Sequence, residues 1–170
     1  VSGIGDLGDS GDGGNISARG NAFAIEVAAV ADFPVLAQMY LDLRRQTMTW
    51  VPPERFQYGD FAVHAEGETI HVARRGDGEI LGFVSVWPAD DFIHMLYVRE
   101  SSQGKGAGTA LLRALPGWPT HRYRLKCLVN NARATAFYLR HGFVVVGTGV
   151  SEEGDYDEMA SEADDTHGAA

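Results

Sequence analysis

The sequence predicts a single α/β domain, a mixed, mostly antiparallel central sheet flanked by helices. Three observations predict it. Short apolar runs of strand type alternate with stretches whose apolar residues recur at helical spacing. The early strands are joined by turns, whereas the later ones are separated by helical segments. The chain has 170 residues, 45% hydrophobic and 22% charged, enough for one core but not comfortably for two.

The elements follow in order. Phe23 to Ala28 reads as a first strand. Asp32 starts a helix that tolerates Pro34 in its first turn, and Leu36, Met39, Tyr40 and Leu43 put one face in the core. Thr47 to Gly59 reads as a loop with a short helix. Its aromatics from Trp50 to Tyr58 suit core packing or a site wall, and its Pro-rich, irregular character favours the wall. Thr69 to Arg74 and Ile80 to Trp87 are strands joined by a Gly76-Asp77-Gly78 turn, and Phe92 to Val98 is the next strand. A glycine-rich turn leads into a helix through Leu111, Leu112 and Leu115, stopped by Pro116-Gly117. Tyr123 to Val129 is a strand, and Asn131 caps a helix that runs to His141 and stops at Gly142. Phe143 to Val146 is a strand, with Asp155 to Met159 paired back across a Gly154 turn.

Composition sets the boundaries. Residues 1–20 are Gly-rich and read as a flexible leader or expression remnant, residues 21–160 as the folded domain, and residues 161–170 as a disordered acidic tail. The net charge of −9 belongs to the ends: residues 151–170 carry −8 and residues 1–20 carry −2, leaving +1 for 21–150. The near-neutral body argues against nucleic-acid binding, which calls for a basic face. No apolar run reaches membrane-spanning length, so no membrane partner is expected. The single cysteine, Cys127, forms no internal disulfide and fits a reducing, cytoplasmic setting. The histidines and Cys127 show no metal-ligand spacing, so no metal is expected.

The strongest chemical signal runs from Phe92 to Leu112. An apolar strand enters a turn with Gly104, Gly106 and Gly108, and the turn enters a helix. The opening amides of a helix lack partners within it, and the helix dipole favours an anion there. Glycines let the backbone approach a phosphate closely, Lys105 can add charge and Thr109 a hydroxyl. A nucleotide-hydrolase loop needs Gly-Lys-Ser/Thr at its end, and a dinucleotide fingerprint needs G-x-G-x-x-G. Neither fits, because Lys105 comes early and positions 109 and 111 are Thr and Leu. What remains is Q-x-x-G-x-G, formed by Gln103, Gly106 and Gly108.

That pattern after an apolar strand resembles the acetyl-CoA signature of the GNAT family of N-acetyltransferases. A second motif of that family, N-x-x-A-x-x-F-Y-x-x-x-G-F, is matched by Asn131, Ala134, Phe137, Tyr138, Gly142 and Phe143. One helix and one strand separate the two motifs, as in the family. The resemblance implies an acetyl-CoA-dependent N-acetyltransferase that moves the acetyl group directly to a primary amine, small-molecule or peptide. A homodimer is a further expectation on the same footing. It also implies that Leu96, Tyr97 and Val98 line the pantetheine arm, chiefly through main-chain groups. By the same match, Gln103, Gly104, Lys105, Gly106, Ala107, Gly108 and Thr109 hold the pyrophosphate, with Asn131, Ala134, Phe137 and Tyr138 also on the donor. Tyr138 matches the tyrosine that protonates the leaving thiolate.

The attacking amine must also lose a proton, since an alkylammonium has a pKa near 10, roughly. His94 is the first candidate for that base, because an imidazole titrates near neutrality. Strand alternation puts Phe92, His94, Leu96 and Val98 on one face unless a bulge changes the parity. A hydrogen-bonded strand histidine without catalytic duty is the alternative reading, and Asp90 and Asp91 are rival bases. Other functions consistent with the motifs are a non-catalytic acyl-CoA sensor and a transferase using another acyl donor or a hydroxyl acceptor. Cys127 reads as a small core residue, and Arg122, Arg124 and Lys126 as a solvated strand face, one of which suits the CoA 3′-phosphate.

Overall fold

The computed structural model describes residues 22–162, so the expected leader and all but the start of the expected tail lie outside the described residues. The elements are β1 (Phe23–Val27), α1 (Phe33–Thr47), α2 (Asp60–His64), β2 (Thr69–Arg75), β3 (Ile80–Trp87), β4 (Phe92–Val98), α3 (Ala107–Arg113), β5 (Arg124–Leu128), α4 (Ala132–Arg140), β6 (Phe143–Ser151) and β7 (Gly154–Ser161). They form one seven-stranded sheet in the order β1-β2-β3-β4-β5-β7-β6. Every neighbouring pair is antiparallel except β4 with β5. The mixed, mostly antiparallel sheet with flanking helices is the fold class read from the sequence.

The two sheet faces carry separate cores. On one, Leu36, Met39, Tyr40 and Leu43 of α1 pack with Phe61 of α2 against Val72, Phe83, Met95 and Tyr97. That is the helical stripe expected from the sequence. On the other, Leu111 and Leu112 of α3 and Ala134, Phe137 and Tyr138 of α4 pack against Val84, Ile93, Leu96, Val98 and Leu125. A third, smaller core of Leu41, Met48, Val51, Phe56 and Leu128 ties the loop after α1 to the end of β5.

Local chemistry explains the boundaries. Gly78 turns the β2–β3 hairpin with a φ of 94°, while Asp77 accepts the amide of Glu79 at 3.1 Å. Asn131 caps α4, its Oδ1 accepting the Ala134 amide at 3.1 Å, and Gly142 leaves the helix with a φ of 80°.

Four expectations need correction. The last strand runs on to Ser161, whose hydroxyl accepts the Tyr123 amide at 2.8 Å, so Ser161 belongs to the sheet and not to a disordered tail. β6 extends five residues past Val146, because β7 supplies a full ladder of partners up to Ser151. α2 lies beyond the segment expected to hold a short helix, where Pro53–Arg55 makes only a single 3-10 turn. α3 ends at Arg113, leaving Leu115 buried in the following turn.

Candidate active site

The parallel junction between β4 and β5 is only two rungs long, Phe92 with Arg124 and Ile93 with Leu125. Beyond Ile93 the two strands have no mutual pairing, while β4 stays paired to β3 as far as Val98. The Arg99 amide donates to Leu81 O at 2.7 Å, so by ladder alternation Leu96 and Val98 turn their main-chain groups away from β3, toward the gap. Their side chains point into the α3–α4 core, whereas the Tyr97 ring faces α1 and stacks on Phe83 with centroids 5.8 Å apart.

The glycine turn closes the end of this gap. Gly104 and Gly106 have φ values of 73° and 82°, left-handed conformations that favour glycine. The first bond of α3 runs from the Ala110 amide to Gly106 O at 2.9 Å, so the amides of Ala107, Gly108 and Thr109 precede the helical ladder. The expected side-chain contributions are used differently. Gln103 Nε2 donates to Val98 O at 3.2 Å and Lys105 Nζ to Ser101 O at 2.9 Å, which folds the turn onto itself. Thr109 Oγ1 lies 2.9 Å from His141 Nε2, linking α3 to α4. His141 Nδ1 lies 2.7 Å from Phe137 O, which only accepts, so Nδ1 carries a proton. The cradle is therefore built from main chain, with its side chains holding the shape.

Asn131 sits where β5 gives way to α4, beside the gap. Its Oδ1 is occupied by the helix cap, but its Nδ2 is buried with no partner among the described residues. A buried amide donor left without an acceptor is costly, so this atom calls for a bound group with a carbonyl or hydroxyl oxygen. The amide-rich arm of acetyl-CoA meets that need, and the residues present fit the group. Ala134 and Phe137 are buried on the same helix, and the Phe137 ring covers Gly108, where a Cβ would lie 3.2 Å from the ring. Tyr138 is wholly buried, its ring 5.3 Å from that of Phe143.

His94 does not share a face with Leu96 and Val98. Ser85 pairs with Met95 and Val86 with Ile93, so His94 is the extra residue of a β-bulge. The bulge turns His94 toward α2, on the face of Met95 and Tyr97. There its Nδ1 lies 2.6 Å from Glu68 Oε1, and the other Glu68 oxygen accepts the Ser85 hydroxyl. The Glu68 side chain is 3% exposed and that of His94 is 24% exposed. The His64 ring lies 5.9 Å from that of His94, and its Nδ1 is 2.9 Å from the Tyr40 hydroxyl. Burial lowers the pKa of His64, as do the charges of His94 and Arg44. Burial pushes Tyr40 up to about 12. Asp60 pairs with Arg44 at 2.5 Å. Burial works against ionisation of Asp60, but the Gln57 amide and the Arg44 guanidinium outweigh it and hold the carboxyl low.

Sequence reasoning missed Glu68, which lies just before a strand and far from any motif. It also missed His64 as a neighbour of His94. The rival bases lie elsewhere: Asp91 pairs with His121 at 2.8 Å, and Asp90 is exposed in the β3–β4 turn. Phe56 is core under the Arg44 guanidinium, and the Trp50 indole donates to Glu153 O at 2.7 Å, pinning the β6–β7 hairpin. Cys127 is a buried core thiol whose pKa is raised by burial. A pocket of about 410 Å³ at the far end of α3, lined by His71, Val86, Leu115 and Tyr123, includes the rival base Asp91 but neither His94 nor the donor-binding residues. Among the described residues no cluster of three metal-ligating side chains occurs, and no helix is long and apolar enough to cross a membrane.

The chain is similar to known acetyltransferases in sequence and in fold. The chain is similar to a 5-NmdU N-acetyltransferase of Pseudomonas phage PaMx11, 36% identical over 91 residues, covering 50% of this chain and 64% of the relative. It is likewise similar to an L-methionine sulfoximine/L-methionine sulfone acetyltransferase of Pseudomonas paraeruginosa, 36% identical over 104 residues, covering 54% of this chain and 60% of the relative. The matched region thus spans less than two thirds of either relative. A GCN5-related N-acetyltransferase from Rhodopseudomonas palustris shares the fold with a TM-score of 0.67 at 20% identity, covering 82% of this chain and 95% of that one. The sequence model described as the Acetyltransferase (GNAT) family matches residues 36–143, which include both glycine-turn and α4 motifs, so the chain belongs to the GNAT acetyltransferase family.

Proposed function

We propose that the chain is an N-acetyltransferase that passes an acetyl group directly from acetyl-CoA to a primary amine. The observation that carries this is the divergence of β4 and β5 after two rungs, ending at a main-chain cradle with the orphaned Asn131 Nδ2 beside it. In this reading the turn from Gln103 to Thr109 holds the pyrophosphate. The inward main-chain groups of Leu96 and Val98 pair with the pantetheine arm, which closes the gap between the strands. Tyr97, Ala134 and Phe137 support these walls by packing.

His94 accepts the proton of the incoming ammonium, and the freed amine attacks the thioester carbon. The C–N bond forms, the C–S bond breaks, and Tyr138 protonates the departing thiolate, while the second proton shed by the acylated nitrogen restores the Tyr138 phenol. A thiol has a pKa of about 8.5 and a phenol about 10, so the transfer to sulfur is completed by that reprotonation. The relatives are named for two unlike acceptors, 5-NmdU and L-methionine sulfoximine or L-methionine sulfone, and the first for N-acetyl transfer, which supports an amine and leaves its identity to be found. The single buried cysteine and the acyl-CoA donor support a cytoplasmic setting.

The test is thiol release from acetyl-CoA across a panel of amino acids, amino-nucleosides, polyamines and peptides. At least one amine is expected to release thiol and gain an acetyl group. Tyr138→Phe is expected to lower kcat by about 100-fold or more with acetyl-CoA binding kept. Acetyl-CoA binding without transfer to any amine would leave a sensor, and no binding would remove the reading altogether.

A further inference from the structure

We propose that Glu68 is a positioning residue whose buried carboxylate holds His94 with its proton on Nδ1, leaving Nε2 as the nitrogen that takes the proton from the acceptor amine. This deepens the acetyl-transfer reading above and rests on it for its catalytic meaning.

The argument starts from burial. The Glu68 side chain is 3% exposed, and an acid is rarely placed there without partners for both oxygens. Oε2 takes the Ser85 hydroxyl, and Ser85 is itself fully buried in β3. Oε1 lies 2.6 Å from His94 Nδ1. A carboxylate only accepts hydrogen bonds, so the proton of this contact belongs to Nδ1 and the lone pair of the neutral ring is on Nε2. The bulge at His94 is what brings the ring to Glu68. In a regular strand of the same register, His94 would face the α3–α4 core.

The neighbouring histidine has a different partner. The Tyr40 hydroxyl lies 2.9 Å from His64 Nδ1, and a phenol can donate to or accept from that nitrogen. Of these two imidazoles 5.9 Å apart, His94 is the one whose Nδ1 is held by a carboxylate. The charged and titratable groups around the pair are Glu68 before β2, His64 and Asp60 of α2, and Tyr40 and Arg44 of α1. When Nε2 takes the amine proton, the imidazolium keeps its Nδ1–H on Glu68, and the carboxylate balances the new charge. The proton then leaves to solvent from the partly exposed ring.

The tautomer is read from ring 15N–1H correlation spectra of the intact protein, with no substrate added. Wild type is expected to show His94 protonated at Nδ1. Glu68→Gln keeps the shape but not the charge, and is expected to lose the single His94 tautomer. It should lower kcat by at least about tenfold while the KM for acetyl-CoA stays constant. In a His94→Ala background the same change is expected to cost nothing further. An Nε2-protonated His94 in wild type, an unchanged kcat in Glu68→Gln, or additive losses in the double variant would overturn the proposal. If Glu68→Gln does not fold, the wild-type spectrum decides alone. If no amine supports thiol release, the transferase reading fails while the spectrum still decides the placement of the proton.

Discussion

Asn131 does two jobs with one side chain, and the two can be separated by substitution. Its Oδ1 caps α4 and its Nδ2 is the buried donor that lacks a partner among the described residues. Asn131→Ala removes both and is expected to cost about 0.5–2 kcal/mol of stability in denaturant titrations, with a raised KM for acetyl-CoA. Asn131→Asp keeps a capping oxygen but offers no N–H, so it should recover much of the stability while the KM stays high. Asn131 was legible because both its neighbours in the motif and its cap partner lie within a few residues. Glu68 was not legible, because its partner His94 is 26 positions away and reaches it only through a bulge that no local pattern announces. The same bulge explains why simple alternation put His94 on the wrong face.

Between elements, the contact of α3 with α4 depends on the absence of a side chain at Gly108. A Cβ there would lie 3.2 Å and 3.3 Å from two atoms of the Phe137 ring. Gly108→Ala is therefore expected to push the helices apart and lower stability by about 1–3 kcal/mol, seen as a lower Tm, with weaker acetyl-CoA binding in calorimetry. Gly106→Ala meets no atoms but strains a φ of 82°, so its smaller loss of about 1 kcal/mol should come from the backbone alone. These glycines could be placed from sequence because motif spacing fixes them. The second half of β6 could not, because Gly147 and Gly149 read as loop residues. Their role appears only with β7 in place: the Tyr156 ring crosses so near Gly149 that a Cβ would lie 2.4 Å from it.

For the whole molecule, acid stability follows from two half-buried histidines. Burial lowers the pKa of both His64 and His71 from the usual 6.5. The folded chain then binds fewer protons than the unfolded chain just below that value, so stability is complete above about pH 6.5 and declines as pH falls. The low-lying carboxyls of Asp32 and Asp60 extend the decline to more acid pH as they take up protons. Thermal melts are expected to show a falling Tm from pH 7 to pH 5, and His71→Gln is expected to shrink that fall. The two-rung junction of β4 and β5 has a separate consequence for how water reaches the chain. Leu96 and Val98 are fully buried as whole residues, yet their amides have no strand partner among the described residues. Burial of a residue and hydrogen bonding of its amide are thus uncoupled at the centre of the sheet. In deuterium exchange these two amides should label far sooner than Phe83 or Tyr97 beside them, and should slow to the pace of their neighbours once acetyl-CoA is added.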